Sequence, residues 1–233
     1  MSKTANPFAG PLLRACCVRL AYGDGDRLTY ALSDVDVDIP SRGFVGVMGP
    51  SGSGKSSLLY LLSGLKRPTS GEVEIEGRPL SRMDERSVTR LRRERFGFVF
   101  QSPFLLNYLT ARENVLAAAP PKDLRSAERA DDLFDSLGIA GLADKFPHHL
   151  SGGERQRVCV ARAMINDPDV IFADEPTASL DHANGHTVID LLASYRDRGT
   201  VIVVTHDPEM VSGADHVFRM RDGRMEDAPL ESP

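Results

Sequence analysis

The stretch Gly49-Pro50-Ser51-Gly52-Ser53-Gly54-Lys55-Ser56 decides the reading of this 233-residue chain. Two glycines stand with four residues between them, and the second is followed by Lys and Ser, the spacing of a phosphate-binding loop. The residue types follow from what such a loop must hold. A triphosphate is dense negative charge, and backbone N–H groups cradle it only where the chain curls tightly. Glycine permits that curl at little steric cost. A helix opening at the end of the loop adds unpaired N–H donors and about half a positive charge. Lys55 would reach the β- and γ-phosphates, and the Ser56 hydroxyl would hold Mg²⁺. The flanks agree: residues 44–48 (FVGVM) form an apolar run of strand length, and a leucine-rich helical pattern covers about 55–65.

Further along, residues 170–175 (VIFADE) read as an apolar strand ending in two acids. In a parallel α/β sheet, ligands collect at the C-terminal ends of strands. Asp174 is therefore expected beside the phosphate loop as an Mg²⁺ residue, acting through water. Glu175, one position on, points elsewhere and can polarise an attacking water.

The remaining pattern supplies a fold around these two sites. Residues 15–21 look like a strand. Residues 30–39 (YALSDVDVDI) alternate, with Val35, Val37 and Ile39 on one face, and 72–76 (EVEIE) alternate throughout. Alternation marks a strand buried on one side. Residues 84–95 read as a polar, basic helix, 97–100 as a short strand, 181–195 as a helix and 201–204 (VIVV) as a continuous apolar strand. Residues 217–220 and 224–225 flank Asp222-Gly223, a hairpin signal. Continuous apolar strands alternating with helices predict a parallel sheet covered on both faces. The alternating strands near the start predict an antiparallel annex. Between 102 and 150 strands vanish. Leu124, Ala127, Ala130, Leu133, Phe134 and Leu137 form the stripe of an amphipathic helix that Gly138 terminates.

Bulk properties narrow the classes. Hydrophobic residues make up 41% of the chain, enough for a real core, and the formal net charge of −5 argues against a nucleic-acid footprint. No apolar run reaches the roughly 18 residues of a membrane span. The N-terminus has no basic and apolar signal regions, so a cytoplasmic location is expected, with any membrane link made through a partner. Cys16, Cys17 and Cys159 form no Cys-x-x-Cys pair and read as small buried hydrophobes. Arg90, Arg92, Arg93 and Arg95 read as a solvated helix face rather than a contact for lipid or partner.

Residues 150–157 (LSGGERQR) carry the step to a family. With the motifs above, in this order, the chain resembles the ABC transporter ATPases over roughly 15–225. Ser151, Gly152 and Gly153 look like the family signature. Gln101, ending FGFVFQ, looks like the Q-loop glutamine, Ser179-Leu180-Asp181 like the D-loop, His206 like the switch histidine, and Tyr22 like the aromatic that stacks on adenine. Taken singly, Gln101 is a surface polar residue, His206 a helix-start residue and Tyr22 half-buried filler.

The resemblance implies a P-loop NTPase cassette of α/β class with a mainly parallel core sheet, an antiparallel β annex and an inserted helical subdomain at about 102–152. One ABC ATPase domain would cover 13–225, between a flexible arm (1–12) and a tail (226–233). ATP and Mg²⁺ are the implied cofactors. Gly49, Pro50, Ser51, Gly52, Ser53, Gly54, Lys55, Ser56 and Ser57 would bind nucleotide with Tyr22 and Asp181. Ser56, Gln101 and Asp174 would serve the metal. Lys55, Gln101, Glu175 and His206 would be catalytic. Two copies would pair head to tail, the Ser151–Gly153 signature of one meeting ATP on the other. The implied location is peripheral, on the inner face of the plasma membrane, under an integral permease subunit, without insertion of its own and without nucleic acid.

The runs FGFVFQSPFLLNYLTARENV, LSGGERQRVCVARAM, ADEPTASLD and FRMRDGR resemble the lipoprotein-release and macrolide-exporter branch (LolD-like, MacB-like), which works by mechanotransmission or export. A cell-division-regulating (FtsE-like) ATPase and an importer ATPase are the alternatives. Ser179, Asn107 and Phe172 depart from the branch's common spelling. None of them removes a catalytic group.

Overall fold

A computed structural model describes residues 10–23, 28–121 and 123–226. The expected arm and tail lie, apart from 10–12 and 226, outside these residues.

The chain runs β1 (Leu13–Tyr22), β2 (Thr29–Ile39), β3 (Gly43–Met48), α1 (Lys55–Leu62), β4 (Ser70–Ile75), β5 (Arg78–Pro79), α2 (Glu85–Arg95), β6 (Phe96–Phe100), α3 (Ala111–Leu116), α4 (Ser126–Ser136), α5 (Gly152–Met164), β7 (Val170–Asp174), α6 (His182–Ala193), β8 (Thr200–Thr205), β9 (His216–Arg221) and β10 (Arg224–Met225). The core sheet has the order β10-β9-β3-β8-β7-β6, and all neighbours are parallel except the β9–β10 hairpin. Asp222 and Gly223 both have positive φ, 48° and 75°, as the short hairpin turn requires.

The central strands β3, β7 and β8 are buried on both faces, and the two faces pack against different partners. In β8, Val201 and Val203 join the cluster formed with α3, α4, α5 and α6, whereas Ile202 and Val204 join α1 and the second sheet. That second sheet is antiparallel, with the order β2-β1-β4-β5. Its alternating strands bury Val35, Val37 and Ile39 from β2 and Val73 and Ile75 from β4. Phe172 fits because β7 is flanked by aromatics: its ring lies 5.1 Å from Phe96, edge-on, and 5.6 Å from Phe98, stacked.

Three expectations change. Cys16 is only half-buried and Cys17 is exposed; Cys159 alone is buried. A bulge explains this: β1 shifts register between Ala15 and Val18, both of which stay buried, and Cys17 takes φ 45°. The Cys17 N–H donates to the Asp36 carboxylate instead of the ladder (2.8 Å). Among the described residues the 102–150 block is free of strands, as expected, and contains two α-helices, of six and eleven residues, with two 3₁₀ turns after the second. Leu124 lies before α4, in the turn where Ser126 N–H donates to Asp123 C=O, and is 95% exposed. From Ala130 onward the stripe holds, and α4 ends in a Schellman turn through Gly138 at φ 65°, with Ile139 N–H donating to Phe134 C=O. The basic cluster is only half solvated. Arg92 donates to the Gly64 carbonyl (2.6 Å), and Arg95 joins Glu76 of the annex to Asp169 before β7.

Candidate functional site

The phosphate-type loop leaves β3 and enters α1. Its glycines answer to packing as well as to curl. At Gly54, φ is 98° and a Cβ would stand 2.4 Å from the Ala31 carbonyl oxygen. At Gly49 a Cβ would stand 2.2 Å from the Met220 carbonyl oxygen. The loop is thus pressed between β2 and β9. The Lys55 ammonium donates to the carbonyls of Gly49 (2.8 Å) and Pro50 (3.0 Å), closing the curl. Asp84, Thr110, Ser151 and Asp181 cap α2, α3, α5 and α6 through their side chains, whereas α1 has no side-chain cap and no acid in its first turn. An N-terminus without such a cap suits an anion.

Asp174 ends β7 and is buried. Its two oxygens accept from Ser56 Oγ (2.7 Å) and Tyr60 Oη (3.0 Å). Burial, then the adjacent Asp174 charge, pushes the Tyr60 hydroxyl up to about 12, so Tyr60 stays a donor. Tyr60 was absent from the expected set, although its place one turn after Ser56 puts both on one helix face. An alcohol and a carboxylate converging at hydrogen-bond distance are hard oxygen donors, which fit Mg²⁺.

Glu175 follows at φ 47°, a left-handed conformation held by its N–H bond to Val204 C=O (2.9 Å). The turn sends its side chain away from Asp174 and across to His206, after β8, whose Nδ1 lies 3.0–3.1 Å from both carboxylate oxygens. Gln101 is exposed one residue beyond Phe100, which pairs with Asp174 in the ladder. The ends of β3, β8, β7 and β6 therefore bring the loop, His206, Glu175, Asp174 and Gln101 to one edge of the sheet.

Tyr22 ends β1 beside α1. Its hydroxyl accepts from Lys66 Nζ (2.8 Å) and lies 3.5 Å from Ser57 Oγ. Burial raises the Tyr22 phenol, but hydrogen bonds from Lys66 and Ser57 outweigh it and leave the group lowered. The Lys66 ammonium sits 4.2 Å from the ring centroid.

Ser151 caps α5 in a reciprocal box: its Oγ accepts from Glu154 N–H (3.3 Å) and its own N–H donates to Glu154 Oε2 (2.7 Å). Gln156, buried, donates to Phe100 C=O (2.9 Å) and ties the start of α5 to the end of β6. Gly153 is buried where α5 crosses α6, and a Cβ there would stand 2.7 Å from Asn184 Oδ1. Asn184 is in turn held by Asp181, which caps α6 (3.0 Å) and accepts from Asn184 Nδ2 (2.7 Å). The signature and the Asp181 turn form one packed unit. Asn114, also outside the expected set, is buried and holds the segment after Gln101 through Leu106 N–H and the carbonyls of Leu106, Leu109 and Thr110.

Fold and loop together define a nucleotide-binding P-loop protein. The family model described as "ABC transporter" matches residues 32–178. The chain is 44% identical over 220 residues to the macrolide export ATP-binding/permease protein MacB 1/2 of Paracoccus denitrificans, covering 92% of this chain and 33% of that one. Among solved structures it resembles the cassette MJ0796, solved as a dimer in a post-hydrolysis state bound to ADP and Pi, with TM-score 0.86, 35% identity and coverage of 95% and 100%. It also resembles cbiO1 of Clostridium perfringens, part of the transporter complex cbiONQ, with TM-score 0.82, 30% identity and coverage of 93% and 87%. The chain belongs to the ABC transporter family and is an ATP-binding cassette of its ATPase type. It spans about one third of the length of the curated relatives it matches.

Proposed function

We propose that this cassette hydrolyses ATP between two copies of itself and so moves an integral membrane partner, in export or mechanotransmission. The observation that carries the reading is the Ser56–Asp174 contact of 2.7 Å, which joins the phosphate-type loop to the acidic strand end. In this reading residues 13–225 form one domain, with 102–152 as its helical subdomain.

Residues 49–57 bind the phosphates, with Lys55 supplying the charge. Ser56 and Asp174, with Gln101, hold Mg²⁺, which neutralises charge on the transferring phosphate when bound. Glu175 orients and polarises the attacking water, and His206 holds the Glu175 carboxylate in place. Tyr22 supports the adenine ring. Ser151, Gly152, Gly153 and Asp181 serve the nucleotide of the second copy. Loss of the γ-phosphate removes charge that both copies grip, and the pair loosens.

Phe104, Leu106 and Tyr108 are exposed on the segment between Gln101 and α3. Three apolar side chains in one loop are a docking surface for a partner. Arg162 anchors that segment to α5 through the Pro103 and Phe104 carbonyls, both at 2.9 Å. Motion of α5 is thereby passed to the partner. Among the described residues no helix is long and apolar enough to cross a membrane, so a separate span must supply the membrane part. The resemblance to MacB favours an exporter-type partner, and a place on the inner face of the membrane follows.

Two measurements test this. Purified chain with Mg²⁺ and ATP releases phosphate, and the Glu175→Gln variant does not. Tagged chain drawn from detergent-solubilised membranes brings an integral membrane protein with it. Equal phosphate release by both proteins, or recovery of the cassette alone, refutes the corresponding half.

A further inference from the structure

Outside the nucleotide site, His182 and His186 stand one turn apart on α6, and Glu209 reaches them from the 3₁₀ turn after β8. The three donor atoms are mutually close. His182 Nε2 lies 2.7 Å from Glu209 Oε2, His186 Nε2 lies 3.2 Å from His182 Nε2, and His186 Nε2 lies 3.7 Å from Glu209 Oε2. Hydrogen bonding alone serves this arrangement poorly. An imidazole nitrogen offers one hydrogen or one lone pair. His182 Nε2 therefore cannot give a full hydrogen bond to both of its neighbours. Three lone pairs aimed at one centre satisfy all three atoms. Ligands about 2.0–2.1 Å from a tetrahedral zinc ion lie about 3.3 Å from one another, and the observed separations bracket that value.

We propose that His182, His186 and Glu209 form a binding site for a zinc-class divalent ion. Two imidazoles at positions i and i+4 of one helix face, plus one carboxylate, are a three-ligand set that leaves a fourth position to water. Nitrogen donors select zinc, nickel or copper over Mg²⁺, which prefers oxygen. All three side chains are at least partly exposed, so the ion has an open path.

The site joins two segments of the proposed nucleotide machinery. His182 directly follows Asp181, the cap of α6, and Glu209 lies three residues after His206. A bound ion clamps the turn after His206 to the start of α6. The consequence of that clamp for turnover rests on the roles proposed for Asp181 and His206; metal binding itself does not.

The test uses the full chain, freed of chelator and nucleotide and titrated with Zn²⁺ by calorimetry, beside His186→Ala and Glu209→Gln. The expected result is one tight zinc per wild-type chain, with affinity at least about tenfold weaker in each variant. Zinc should raise the melting temperature of the wild type and leave that of His186→Ala unchanged. Co²⁺ should give the visible absorption of a low-coordinate nitrogen–oxygen site in the wild type alone. No zinc uptake by the wild type, or equal uptake and equal thermal shift in all three proteins, overturns the proposal.

Discussion

The His206 imidazole bridges both carboxylate oxygens of Glu175, at 3.1 and 3.0 Å, and so joins the ends of two neighbouring strands. Glu175 reaches it only because its backbone turns left-handed at φ 47°. A non-glycine residue held there costs about 1–3 kcal/mol and persists where its surroundings over-determine it. Without that turn the strand's alternation, not the water-side edge, would set the direction of the carboxylate.

Glu175→Gln keeps the shape and removes the proposed base. Phosphate release should fall by about a hundredfold or more, while ATP affinity measured by calorimetry stays near that of the wild type. His206→Ala removes the carboxylate's partner and should lower turnover at least about tenfold, again with ATP binding retained. Wild-type turnover in either variant contradicts its proposed role.

Lys55→Ala tests the loop. The ammonium holds two loop carbonyls and supplies the local positive charge. Its loss should weaken ATP binding at least about tenfold, equivalent to about 1.4 kcal/mol. Unchanged binding by calorimetry removes Lys55 from the site.

Gly153→Ala tests the packing of the signature on α6. The new methyl would stand 2.7 Å from Asn184 Oδ1 and 2.8 Å from Asn184 Cγ, and Asn184 yields only by leaving Asp181. Overpacking of this kind costs about 1–3 kcal/mol. A melting temperature several degrees below the wild type is expected; an unchanged one means that the helices part without cost.

Glu154 gives a pH dependence. The Ser151 N–H, and then the Ser151 hydroxyl, hold its carboxyl below the usual value of 4.5. A carboxyl depressed in the folded state contributes stability that is present above 4.5 and lost as pH falls through the folded value. The melting-temperature gap between wild type and Glu154→Gln should therefore be widest near neutrality and shrink below that range. A gap that stays constant into acid contradicts the capping box as its source.

Much of this was legible in the sequence because the signals are local. The loop spacing, the acidic end of β7, the alternation of β2 and the Asp222-Gly223 turn each follow from neighbouring residues. What was not legible depends on contacts across the chain. Cys17 faces outward because of a bulge between β1 and β2, which period-2 counting cannot reveal. Arg92 and Arg95 looked solvated because their partners, Gly64, Glu76 and Asp169, lie on other elements. Tyr60, Asn114 and Asn184 are single polar residues whose meaning appears only when Asp174, the segment after Gln101 and Gly153 are set beside them. Gly153 is legible as part of the signature, and its packing against Asn184 gives it a second reason to be glycine.

In the proposed arrangement one chain makes half of a complete site, with Ser151 serving the ATP held by the Lys55 of a second copy. Light scattering on Glu175→Gln, with and without ATP, reads this pairing as a change of mass. Twice the monomer mass is expected with ATP, the monomer mass without it, and the monomer mass in both conditions once Ser151→Arg is added. An ATP-induced dimer that survives Ser151→Arg, or no dimer at all, rules the shared site out.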